Sequence, residues 1–162
     1  MRVRRSSRLI LLDTESQVLL FRIEDAIIVR PEEPSLVTYW ITPGGGLEAG
    51  ESYATAARRE LWEETGMTGI ELGPWVALCE PALNWAGEMV QAHDRFYLAR
   101  IDSTAVTFEN LNAAEREVYR EHHWWDVEEL RASGECVVPP GLIDLLARII
   151  AGHVPPQPVR LK

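Results

Sequence analysis

The chain has 162 residues, of which 46% are apolar, 25% charged and 8% aromatic, a composition that excludes disordered and fibrous classes. A domain of this size buries roughly 70% of the surface its unfolded chain exposes, so it forms a core without disulfides or a structural metal. Sixteen basic and 25 acidic side chains leave a net charge of −9, which argues against a nucleic-acid partner because phosphate neutralisation dominates such binding.

Arg2, Arg4, Arg5 and Arg8 precede a short apolar run, Leu9 to Leu12. That run is too short for the core of a signal peptide, and no stretch approaches a membrane span, so a cytoplasmic protein without membrane contact is expected. Cys79 and Cys136 lie far apart with no metal-type spacing and read as reduced core thiols. The expected organisation is one domain over 1–162, with about 1–7 as an N-terminal arm and about 154–162 as a proline-bearing tail.

Arg8 to Asp13 and Gln17 to Ile23 read as strands joined by a turn at Thr14-Glu15-Ser16. Glu24 to Ser35, with Pro31 and Pro34, reads as a loop. Leu36 to Ile41 resumes a strand that Pro43-Gly44-Gly45-Gly46 ends. Ser52 to Thr65 lacks Gly and Pro, with Ser52 placed as an N-cap and Gly66 as the stop, which predicts a helix. Trp75 to Glu80 and His93 to Ile101 read as strands, with Asn84 to Gly87 as turn material. Asp126 to Glu129 has capping-box spacing and opens a short helix. The stripe Leu142, Leu145, Leu146, Ile149 and Ile150 predicts a last helix stopped by Gly152. Strands interleaved with helices indicate an α/β layer architecture.

With Tyr53 at zero on the helix beginning near Ser52, Ala54, Ala57 and Leu61 form a core-facing stripe, and Glu60, Glu63 and Glu64 fall at about 340°, 280° and 20°. Three carboxylates on one face repel one another, and a hard divalent cation with oxygen ligands is the natural offset. The bland reading is a solvated acidic face with an Arg59–Glu63 pair. The adjacent Gly44-Gly45-Gly46 turn, which lets backbone approach a ligand closely, favours a site.

Gly45, then five residues, Glu51, seven residues, Arg59-Glu60-Leu61, one residue, Glu63-Glu64, one residue and Gly66-Met67 fill every fixed position of the Nudix box, so the chain resembles the Nudix hydrolases. The resemblance implies an α/β/α sandwich with a mixed sheet between helices. It implies Mg²⁺ or Mn²⁺ held by Glu60, Glu63, Glu64 and the carbonyl of Gly44. Glu51 and Arg59 become an orienting pair, in which Glu51 keeps Arg59 from neutralising the metal glutamates. The implied activity is water attack on the diphosphate of a nucleoside diphosphate linked to another group: ADP-ribose-like, a dinucleotide polyphosphate or a nucleoside triphosphate. The general base is expected from Glu60 or Glu117, the latter among Glu115, Glu117 and Glu121 ahead of Trp124-Trp125. Pro81 sits near a proline of members acting on ADP-ribose, and Tyr39 and Trp85 are candidates for stacking on a base. A nucleotide-type small molecule is thus the expected partner, and a homodimer is compatible. The alternative is a non-catalytic nucleotide-sensing module, which usually lacks some box glutamates. Isomerases of isoprenyl diphosphates also use this fold but depart from the box kept here.

Overall fold

Four consecutive residues, Leu9 to Leu12, are fully buried, which a strand achieves only when both of its faces are covered. They belong to β1 (Arg2–Leu12), the centre of the molecule. The computed structural model describes residues 1–162 and continues with β2 (Val18–Glu24), β3 (Ile28–Val29), β4 (Thr38–Ile41), β5 (Gly44–Gly46) and α1 (Tyr53–Thr65). β6 (Trp75–Cys79), β7 (Ala82–Trp85), β8 (Glu88–Arg100), α2 (Ala113–Val118) and β9 (Tyr119–Trp125) follow. The chain closes with α3 (Val127–Ser133), α4 (Leu142–Ile150) and β10 (Val159–Leu161).

β1 runs parallel to β8 from Arg2 opposite Val90 to Leu12 opposite Arg100, and antiparallel to β5 on its other edge. β6 and β10 extend the sheet beyond β8, while β2 pairs with β4 and β9. Alternation along β1 then sorts the core. Leu9 and Leu11 share a cluster with Ala57 and Leu61 of α1, and Ile10 and Leu12 share one with Leu142, Leu145, Leu146 and Ile149 of α4. The result is the expected mixed sheet between helices. No helix is long and apolar enough to cross a membrane.

Three expectations are corrected. The N-terminal arm is strand: residues from Arg2 onward complete the parallel ladder with β8, which satisfies backbone groups an arm would leave to water. The tail returns as β10, parallel to β6, with Leu161 packed in the α4 cluster. The triple glycine is not a free turn but the short strand β5. Within the loop of residues 24–35, Ile28 and Val29 pair with β7.

The box helix begins and ends as its sequence dictates. The Ser52 side chain accepts from the Thr55 amide, and Gly66 takes the left-handed conformation, φ 78°, that favours glycine. Asp126 likewise caps α3 by accepting from the Glu128 and Glu129 amides. A reciprocal capping box forms instead at Asn112 and Glu115, opening α2, an element absent from the sequence reading. Both cysteines are free; Cys79 is buried and Cys136 half-buried.

Candidate active site

β5 is held against β1, and α1 presents Glu60 to it. A Cβ at Gly45 would lie 2.4 Å from Glu60 Oε1, so only glycine lets this carboxylate rest on the backbone. Arg59 fixes the ensemble. Its Nε and Nη2 donate to the two oxygens of Glu51 at 2.9 and 2.8 Å, and Nη2 also donates to the Gly46 carbonyl at 2.8 Å. This bidentate pairing ties the loop before α1 to the helix and holds the Glu51 carboxyl down at about 2.

The expectation that Glu51 keeps Arg59 away from the other glutamates is corrected. Arg59 Nη1 donates to Glu60 Oε1 at 2.9 Å and to Glu63 Oε2 at 3.2 Å. A guanidinium carries five donors, more than one carboxylate accepts, and the remainder fall on the neighbouring acids. Glu51→Gln is expected to remove a charge-assisted pair worth about 2 kcal/mol, lowering the melting temperature by roughly 4–8 °C. Turnover should fall with it as Arg59 shifts further onto Glu60 and Glu63; thermal melts and steady-state rates check both.

The carboxylates divide into two sets. Ligand atoms of Glu60, Glu63 and Glu115 all lie within 4.8 Å of one another. Glu60 is 5% exposed, and its Oε2 is buried with no hydrogen-bond partner. An orphaned buried carboxylate oxygen is costly, and an oxygen-only donor set around it suits a hard divalent cation. Glu64, expected as a ligand, stands outside this cluster. It is fully buried and accepts from the Gly44 amide at 2.8 Å and from the Tyr119 hydroxyl. The Gly44 carbonyl, also expected as a ligand, accepts from Arg8 Nη1 at 3.1 Å.

Glu117 lines the adjoining cavity but is not in the cluster; Glu115, one turn from Tyr119, occupies the place expected of it. Glu121 faces outward and pairs with Arg22 at 3.3 Å. The Asn112-x-x-Glu115 spacing was the signal available for locating α2.

Beyond the cluster opens a cavity of about 680 Å³, within the range of small-molecule sites. Tyr39, Pro81 and Trp85 all line it, so the three residues expected to meet substrate do share one space. The two aromatic rings are each covered by a guanidinium, Arg4 over Trp85 and Arg30 over Tyr39, both at 4.4 Å. Sequence reasoning missed these arginines, Arg8, and Asp94 on the same wall.

Burial raises the Glu60 carboxyl from its ordinary 4.5 to about 6 against the opposing pull of Arg59, and burial raises Glu63 and Glu64 as well. The folded, metal-free chain therefore holds these protons more tightly than the unfolded chain. The stabilising contribution of Glu60 is present in full below about pH 4.5 and is lost as pH rises through 6, and those of Glu63 and Glu64 are likewise lost as pH rises. The melting temperature of chelator-treated protein is expected to rise from pH 7 to pH 5, with Glu60 contributing on the order of 1 kcal/mol over that interval. Divalent-cation affinity should fall over the same interval, because proton and cation compete for the carboxylates. Melts with and without added Mn²⁺ at each pH check both signs.

The NUDIX domain family model matches residues 2–144. The chain is similar to an RNA pyrophosphohydrolase of Brucella ovis, 39% identical over 67 residues that cover 41% of this chain and 34% of that protein. It is similar to an m7GpppN-mRNA hydrolase of Bos taurus, 31% identical over 83 residues covering 47% of this chain and 26% of that protein. The match thus spans about a third or less of these curated relatives. Among solved structures, the E. coli dihydroneopterin triphosphate pyrophosphohydrolase superposes with a TM-score of 0.64 at 14% identity, covering 94% of this chain and 99% of that one, a likeness of fold. With the family model matched along residues 2–144, the chain belongs to the Nudix family.

Proposed function

We propose that the protein is a metal-dependent hydrolase that cleaves the diphosphate linkage of a nucleotide-type substrate by water attack on phosphorus. The observation that carries this reading is the partnerless buried Oε2 of Glu60, a residue clustered with Glu63 and Glu115 beside the cavity. The names of the relatives, an RNA pyrophosphohydrolase and an m7GpppN-mRNA hydrolase, support phosphate-anhydride chemistry. The net charge of −9 favours a small nucleotide over a long RNA, whose many phosphates the surface would repel. Two free thiols fit a reducing compartment such as the cytoplasm.

Glu60, Glu63 and Glu115 hold a Mg²⁺ or Mn²⁺ ion in this reading. When bound, such an ion neutralises diphosphate oxygens and makes a water more acidic. Arg59 keeps Glu60 and Glu63 oriented through Nη1 while Glu51 anchors its other side. Glu64 acts one step back: by accepting from the Gly44 amide and the Tyr119 hydroxyl it ties β5 and the α2–β9 junction to the box helix. The cavity beyond takes the rest of the nucleotide.

A sensing module that binds without cutting is disfavoured because none of the box carboxylates is lost. The two readings separate on a panel of ADP-ribose, dinucleoside polyphosphates and nucleoside triphosphates, incubated with Mg²⁺ in ¹⁸O-labelled water. Labelled phosphorylated products are expected. Unchanged ligands throughout would establish a sensor, and products with label in neither phosphorylated fragment would contradict water attack at phosphorus.

A further inference from the structure

Arg4, Arg8 and Arg30 line the cavity, yet none has a carboxylate within the 4.0 Å of an ion pair, whereas Arg2, Arg22, Arg59, Arg120, Arg131 and Arg160 all do. Arg5, Arg58, Arg95, Arg100, Arg116 and Arg148 also lack an ion pair, but all of these except Arg95 are exposed, whereas Arg4, Arg8 and Arg30 are half-buried. Alternation along β1 puts Arg4, Ser6 and Arg8 on one face, and their β8 neighbours on that face are Ala92, Asp94 and Phe96. Ser6 and Ala92 are small, so the floor stays open beside the two guanidinia. Asp94, the carboxylate on this floor, reaches neither arginine to within ion-pair distance, and burial raises its pKa despite both cations. Arg4 is crowded by the charge of Arg8.

The arginines are also held in place in advance. Arg8 donates to the Thr42 and Gly44 carbonyls, and Arg4 donates to Ser6 Oγ at 2.6 Å while lying on Trp85. Arg30 lies on Tyr39, and its Nη1 is buried with no hydrogen-bond partner. Its charge acts on Asp94, Cys79 and Cys136, while the cation touching the Glu60 cluster is Arg59. Asp94, Glu64 and Glu60 act on Arg8 from a distance and hold its charge, but no carboxylate pairs directly with any of the three half-buried guanidinia, and fixed guanidinia suit phosphate oxygens.

We propose that Arg4, Arg8 and Arg30 form a subsite for an anionic group of the substrate beyond the two phosphates of the cleaved linkage. The substrate is then a nucleotide with at least one further phosphate, rather than a two-phosphate conjugate such as ADP-ribose. This rests on the hydrolase reading for the location of the cleaved linkage. The additional phosphate comes from a longer polyphosphate chain or from a phosphorylated ribose, and the probes below distinguish the two.

The test begins with calorimetric titration of the full chain in excess chelator with inorganic tripolyphosphate and, separately, adenosine 2′-monophosphate. Wild type is expected to bind one of them. Arg30→Gln should weaken that binding at least tenfold, Arg30→Lys should restore part of it, and Arg148→Gln, an exposed change on α4, should leave it unaltered. The probe that shows this dependence names the source of the phosphate. Binding of neither probe, or equal binding by wild type and Arg30→Gln, overturns the subsite. With Mg²⁺ present, Arg30→Gln should lower at least tenfold the kcat/KM ratio for ATP over ADP-ribose if tripolyphosphate is the probe that binds, or for NADP⁺ over NAD⁺ if adenosine 2′-monophosphate is. An unchanged ratio for the matching pair overturns the claim that the group lies beyond the cleaved linkage. Arginine-dependent anion binding by a protein that hydrolyses nothing on the panel would uphold the anion subsite and overturn only the hydrolase reading.

Discussion

Glu60→Gln is expected to cut turnover by about 10³-fold or more while leaving the melting temperature of the metal-free protein unchanged or higher. The amide fits the same space, and its oxygen still accepts from Arg59 Nη1 at the position of Oε1. Its nitrogen then occupies the place of Oε2, the atom without a partner, and an amide N–H₂ has no lone pair to offer a cation. The loss is therefore one of ligation. Stability moves the other way, because burial raises the Glu60 pKa, so the folded chain holds a charge that it would hold more cheaply as a neutral group. Steady-state rates and thermal melts in chelator, run on one preparation, read both effects. Wild-type turnover in this variant would remove Glu60 from the reaction.

Glu115→Gln should lower turnover by about 10²- to 10⁴-fold, a span appropriate to a carboxylate acting at the reacting centre. The substitution isolates charge from structure. Glu115 also closes the capping box that opens α2, accepting from the Asn112 amide at 3.1 Å, and glutamine fills that role equally well. Glu117→Gln, on an exposed cavity-lining residue outside the cluster, should cost less than about tenfold. Comparable losses in the two variants would contradict the selection of Glu115 over Glu117.

These variants mark where the sequence was informative. Helix α1 was legible because three signals agree on it: the Ser52 cap, the Gly66 stop and the Ala57–Leu61 stripe. The acidic face was legible from spacing alone, but not its division into Glu60 and Glu63 on one side and a satisfied Glu64 on the other. That division depends on Tyr119 and the Gly44 amide, partners supplied by β9 and β5, and tertiary partners leave no mark on helical periodicity. Arg4 was read as part of an arm because arginines at a chain end resemble a solvated segment, and Arg8 as the first residue of a strand. Their alternation with Arg5 and Ser7 is the period of a strand, and only the parallel pairing with β8 shows that one of its faces meets a cavity. The two ends were misjudged for one reason: β1 before Arg8 and β10 are stabilised by strand pairing, which local composition does not report.

The central claim is that Glu60, Glu63 and Glu115 form a single divalent-cation site on which hydrolysis depends. Its most direct measurement is a Mn²⁺ titration followed by electron paramagnetic resonance and by turnover in parallel, on wild type and Glu115→Gln. The expected result is that wild-type activity rises over the same Mn²⁺ range as binding, and that Glu115→Gln shifts both to higher concentration together. Activity that persists in excess chelator, or a Glu115→Gln variant that binds Mn²⁺ as tightly as wild type, would contradict the claim.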